Sequence, residues 1–304
     1  MRQGRSTEEL RSTLQNRAEA DAANLFAILD AARSKDIFSR LQRFTSGWVS
    51  LYRGEPEESL VEVAPYLVQM HDSGILQWFL AEGWGNSWGL FLTSTQTLEQ
   101  VRRHFRHFLL VRDEDGKQMY FRFYDPRVLR IYLPTCTAAE TRRFFGPIRT
   151  FFMESDGGFE LVEFSIPVAN ATPQKSQKSA VGSLLRIRRE QLQVFSDAMI
   201  RSFDERMFVH LHKFFPKRCQ VLGDSEVRAW IKAGIAESAE YDIVAERDVS
   251  KYLNLMFTFG RDFAKSAETP WAYGILADAL AKPAEKIDRL YAAAKNQMKK
   301  EPLA

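Results

Sequence analysis

A polar run, Pro167 to Gly182 (PVANATPQKSQKSAVG), cuts this chain into two parts with different hydrophobic rhythms, and that break constrains the fold more than any other feature. The run has no periodicity and only small apolar residues, as expected of a linker. Before it, short strand-like runs alternate with helical patterns and hairpin signals. After it, apolar residues step only by three or four. The chain is therefore expected to be α/β (α+β): a mixed sheet with flanking helices over 23–166, a linker over 167–182, and an all-helical domain over 183–304. Residues 1–22 form a polar extension. There Ser6 and Glu9 make a capping box, and the weak apolar stripe suggests an exposed helix appended to the core.

Local signals place the elements. Leu25 to Leu29 and Trp48 to Tyr52 are apolar enough for strands; between them Ile37, Leu41 and Phe44 share a helix face, and Gly54 to Glu58 is an acidic turn. Thr97 with Gln100 and Thr137 with Glu140 announce capped helices. Asp115-Gly116 predicts a hairpin within Val111 to Tyr124, and Asp156-Gly157-Gly158 a second between Thr150 and Phe164. Asp125-Pro126 ends a strand and opens a helix. Beyond the linker, Leu192, Phe195, Met199, Phe203, Met207, Leu211 and Phe214 form one long stripe that Pro216 stops. Asp224 is expected to cap the next helix, and Thr269-Pro270 and Pro283 open two more.

The composition excludes several functions. With 42 basic and 39 acidic residues the net charge is only +3, so no global field announces a nucleic-acid partner. Two distant cysteines, Cys136 and Cys219, give neither a disulfide framework nor a cysteine zinc site, which suits a reducing cytoplasm. The N-terminus has no apolar core for a secretory signal, and no stretch reaches the roughly 20 apolar residues of a membrane span. His104 and His107 are three apart on a helix, but their neighbours are arginines and no third ligand is close, so no metal is expected. No cofactor fingerprint is present: Gly83, Gly85 and Gly89 do not fit G-x-G-x-x-G.

Gly85-Asn86-Ser87-Trp88-Gly89 does fit G-x-S-x-G, the nucleophile elbow of serine hydrolases. An elbow runs from strand to helix. Here a helical pattern (Ile75, Leu76, Phe79, Leu80) precedes the glycines and a strand-like Leu90-Phe91-Leu92 follows. The sequence therefore favours a helix stop and tight turn, with Trp84 and Trp88 in the core, over a serine esterase using Ser87. In Phe121 to Arg127, Arg122, Asp125 and Arg127 cluster at a strand end. They allow either an ion pair from Asp125 to Arg122 or Arg127, or a surface for a partner. Arg186, Arg188 and Arg189 could serve a nucleic-acid-binding module, yet they lack interleaved aromatics and read better as a solvated face.

Three ordered segments, Ala64 to Val68, Glu82 to Leu92 and Phe121 to Leu129, resemble successive motifs of the type VI secretion effector chaperones, or adaptors. The similarity spans roughly residues 23 to 165. The helical region, with Ile187 to Gln191, Phe215-Pro216 and Phe257 to Phe263, is similar to the part that often follows. The resemblance implies a cytoplasmic bacterial protein without catalysis that binds a cognate effector, usually through the effector's N-terminal region, and brings it to the VgrG spike. Arg122, Asp125, Arg127, Arg186 and Arg189 are the candidate contacts to effector or VgrG. Trp84, Gly85, Trp88 and Gly89 are the candidate structural motif. No membrane or nucleic-acid partner is implied.

Overall fold

The computed structural model describes residues 6–43, 47–52, 54, 57–71, 73–158, 160–166 and 184–300. The expected linker 167–182, Glu55 and Pro56 of the acidic turn, and the apolar residues Phe44 and Phe159 lie outside them. The chain divides into two compact units, Met1–Phe195 and Ser196–Ala304.

The first unit runs α1 Thr7–Ala20, β1 Asn24–Asp30, α2 Lys35–Leu41, β2 Trp48–Ser50, α3 Glu58–Val61, β3 Pro65–Gln69, α4 Ser73–Trp78, β4 Gly89–Ser94, α5 Leu98–Phe105, β5 Leu110–Arg112, β6 Gln118–Tyr120, α6 Pro126–Tyr132, α7 Ala138–Phe145, β7 Ile148–Glu154, β8 Leu161–Ser165 and β9 Leu185–Arg186. Six strands form one sheet in the order β2-β3-β1-β4-β7-β8, antiparallel at every pairing. The parallel component that makes the strand set mixed is confined to a small sheet, β6-β5-β9, where β5 and β9 run parallel.

Period-two alternation sends β1 side chains to two cores. Phe26 and Ile28 join a cluster with Leu90, Leu92, Phe151, Phe105, Leu129, Tyr132 and Phe144, roofed by α5, α6 and α7. Ala27 and Leu29 face the other way, against Phe91, Phe152, Ile37, Ile75 and Trp78. Both faces are covered, which is why β1 and β4 read as nearly unbroken apolar runs.

The N-terminal extension is more than an appendage. Its capping box forms as expected, and Leu10, Leu14 and Ala18 are buried in the second core. Asp21 accepts from the hydroxyls of Thr93 and Thr150, and Arg17 pairs with Glu163. Two leucines one helical turn apart are too sparse a stripe to reveal this; the sheet face they cover supplies the rest.

The second unit is helical: the later part of α8 Arg189–Phe214, then α9 Pro216–Leu222, α10 Asp224–Glu240, α11 Glu246–Phe259, α12 Pro270–Leu276 and α13 Pro283–Lys300. The long stripe on α8 is divided. Leu192 and Phe195 pack against the first unit's core, and Phe203, Met207 and Leu211 belong to the second unit's core, while Met199 and Phe214 are exposed. Residues 184–195 thus add a strand and about two turns of helix to the first unit. The expected cap of α10 shifts by one position: Gly223 is the N-cap, at φ +76°, and Asp224 starts the helix. Among the described residues no helix is long and apolar enough to cross a membrane.

Candidate functional site

The glycine-rich stretch forms in the order its pattern predicts, helix to turn to strand. α4 widens into a π-helical turn, Phe79–Gly83, closed by Trp84 N–H on the Phe79 carbonyl at 3.1 Å. The chain then reverses through Gly85 at φ +85° and Ser87 at φ +55°, the latter a left-handed conformation uncommon for a residue with a Cβ. Glu154, buried at the end of β7, holds the turn there. Its Oε2 accepts from Gly85 N–H at 2.6 Å, and its Oε1 from Ser87 N–H at 3.0 Å and from the Ser87 hydroxyl at 2.7 Å. The turn touches the β7–β8 hairpin backbone to backbone, since a Cβ on Gly158 would stand 2.8 Å from Gly85 Cα. Trp88 is buried against Trp78, 5.4 Å between rings, and the half-buried Trp84 stacks on Phe91. The Ser87 hydroxyl donates to the same carboxylate that fixes the backbone. That arrangement builds a rigid turn.

A second group lies beside it. Asp30 ends β1 and is buried. One of its carboxylate oxygens accepts from Ala32 N–H, the other from Arg122. Burial raises the Asp30 carboxyl above its ordinary range, and Arg122 opposes that rise. Asp125 caps α6 by accepting from Arg127 N–H at 3.0 Å. It also takes both arms of the Arg127 side chain, Nε at 2.9 Å and Nη2 at 2.6 Å. Of the two partners open to Asp125 in the sequence, Arg127 is the one it meets; Arg122 crosses to Asp30. The Arg122 guanidinium also lies over Tyr124, whose hydroxyl is pushed up by burial and by Asp30. Tyr52 meets Tyr120 edge to face at 6.1 Å.

The three segments singled out in the sequence converge here. Asp30 pairs with Pro65 across the ladder, donates its N–H to the Trp88 carbonyl at 2.7 Å and receives Arg122, while Arg33 reaches the Asn86 carbonyl. One end of β1 therefore gathers residues from 64–68, 82–92 and 121–129.

Residues 25–143 match the family model DUF4123, a domain of unknown function.

The DUF4123 segment is less than half of the chain. It takes in β1 to β6, α2 to α6 and most of α7, so all three converging segments fall inside it. Glu154, which fixes the motif turn, and α1 lie outside it. No curated protein and no solved structure matches the chain.

The remaining candidates sit elsewhere. Arg189, beyond the DUF4123 segment, pairs with Asp115 at the β5–β6 hairpin tip and lies near Glu114. Arg188 is anchored by Glu140 and the Thr135 carbonyl. Arg186 lies on β9 opposite Arg112. The structure thus gathers Arg122, Asp125 and Arg127, and separates them from Arg186 and Arg189.

Sequence reasoning missed Asp30, Glu154, Tyr52 and Tyr120; the one signal for the two acids was a lone carboxylate closing an apolar strand. His104 is half-buried, its Nε2 2.7 Å from the Phe144 carbonyl, and loss of solvent around the ring holds its pKa down to about 4. Among the described residues no three His, Cys, Asp or Glu side chains are grouped to hold a metal ion.

Proposed function

We propose that this protein is a type VI secretion adaptor chaperone, which binds a cognate effector in the bacterial cytoplasm and delivers it to the VgrG spike without catalysis. The observation that carries this reading is the convergence of the three motif segments at one end of β1, inside the DUF4123 match. The segments that make the resemblance meet at that end of β1, where half-exposed Arg122 and Arg127 stand on buried carboxylates. Arginine and tyrosine held in place by packing lose little conformational entropy on docking, and they dominate protein interfaces. Ser87 supports the same reading from the other side, because its hydroxyl and N–H are both committed to Glu154.

Co-expression with the products of the neighbouring effector and spike genes, followed by affinity purification, tests the proposal. The effector and VgrG are expected to co-purify, and effector abundance is expected to fall when this gene is deleted. Recovery of the protein alone, with effector abundance unchanged on deletion, would overturn the reading. So would turnover of an activated ester by the wild-type protein that Ser87→Ala abolishes.

A further inference from the structure

The small sheet β6-β5-β9 has one face in the core and one in solvent. Val111 and Leu185 point inward and are buried. The register pairs Leu110 with Tyr120, Arg112 with Gln118 and Arg112 with Arg186, and all five of these side chains are exposed. Leu110 and Tyr120 are 42% and 51% exposed, a cross-strand pair of large side chains open to water. Arg112 and Arg186 stand directly opposite each other, where like charges repel. Arg127, Arg188 and Arg189 are each met by a carboxylate. Arg112 and Arg186 have no ion-pair partner among the described residues. The face is thus a doubled positive charge beside an apolar pair, and it continues through Tyr120 to Tyr52.

We propose that this open face is where the client effector lays an extended acidic segment, its carboxylates over Arg112 and Arg186 and an apolar side chain over Leu110 and Tyr120, a placement that rests on the adaptor reading. Leu110 and Arg112 are two residues apart on one strand, about 7 Å. The complementary segment therefore carries its acid and its large apolar side chain two residues apart. A nucleic-acid backbone fits less well, because its phosphates repeat at every step while the face offers two arginines next to the acids Asp113, Glu114 and Asp115; an acidic and apolar segment can set its carboxylates over the arginines alone.

Fluorescence anisotropy on the full chain tests this with a labelled peptide of repeating Glu-Thr-Leu-Thr, which puts glutamate and leucine on one strand face. The Arg112→Glu/Arg186→Glu variant is expected to bind it at least about tenfold more weakly, with salt weakening the wild type, and a lysine-for-glutamate peptide is expected not to bind. All these side chains are exposed, so an unchanged melting temperature will show that the variant folds. Equal affinity of variant and wild type overturns the proposal, as does tighter binding of a single-stranded oligonucleotide than of the acidic peptide. With the effector from the co-expression experiment, capture by wild type and loss in the double variant supports it. Equal capture by both overturns it and leaves the adaptor reading standing, whereas no capture by wild type overturns that reading and this placement together.

Discussion

Two kinds of buried carboxylate stand at the same end of the six-stranded sheet, and they use their hydrogen bonds differently. Glu154 takes three neutral donors from a single turn, two backbone N–H groups and a hydroxyl. Asp30 and Asp125 take guanidinium groups whose side chains remain 43% and 49% exposed. The first arrangement satisfies a charge with dipoles and leaves a fixed backbone. The second leaves an oriented cation at the surface. Residues of the converging segments therefore divide between fixing the backbone and holding a cation at the surface.

The strongest challenge to that division is Trp88→Ala. If the glycine turn is structural, removing a buried indole that packs on Trp78 should cost about 3–5 kcal/mol in a denaturant titration. An unchanged midpoint with loss of effector capture would move Trp88 to the presenting side. The next effect is acid sensitivity at His104. His104 has a folded pKa of about 4 against an ordinary 6.5, so the fold favours its neutral form. Its contribution is complete above pH 6.5 and is lost as pH falls to about 4, roughly 3 kcal/mol at the limit. His104→Phe should flatten the stability profile across that window; an unaltered slope would refute the assignment.

Glu154→Gln should cost about 1–3 kcal/mol, because the amide offers one acceptor where two oxygens served three donors. Ser87→Ala, which removes one of those donors and leaves both backbone bonds, should cost less, about 1 kcal/mol, and leave effector binding intact. Equal costs for the two would mean that the hydroxyl, and not the backbone, is what Glu154 holds. The smallest effect is expected at Arg127→Ala. Its half-exposed pair with Asp125 should change stability by less than about 1 kcal/mol, while effector capture falls. A large loss of stability with capture preserved would place Arg127 on the building side.

Much of the local structure was legible in the chain itself. The capping boxes at Ser6, Thr97 and Thr137 form as their spacing requires, and Asp125-Pro126 opens α6. These signals are readable because donor and acceptor lie within one helical turn. The β5–β6 strands end at Tyr120, earlier than the alternation through Tyr124 suggested, because Phe121, Phe123 and Tyr124 all turn into the core. The α8 stripe misled at Met199 for a related reason: regular spacing fixes which side chains share a helix face, and only the packed neighbours fix whether that face is covered.

The sequence alone determined the hairpins, the capping-box helix starts and the helix-to-strand direction of the glycine turn, since each depends on residues close along the chain. Tertiary structure decided which carboxylate holds that turn, which arginine reaches Asp30, and that α1 belongs to the core. Asp30 meets Arg122 across 92 positions, and Ser87 meets Glu154 across 67. Charge and hydrogen-bonding capacity are written in residue type, but the choice of partner over such separations is made by sheet order and register, which bring remote strand ends together.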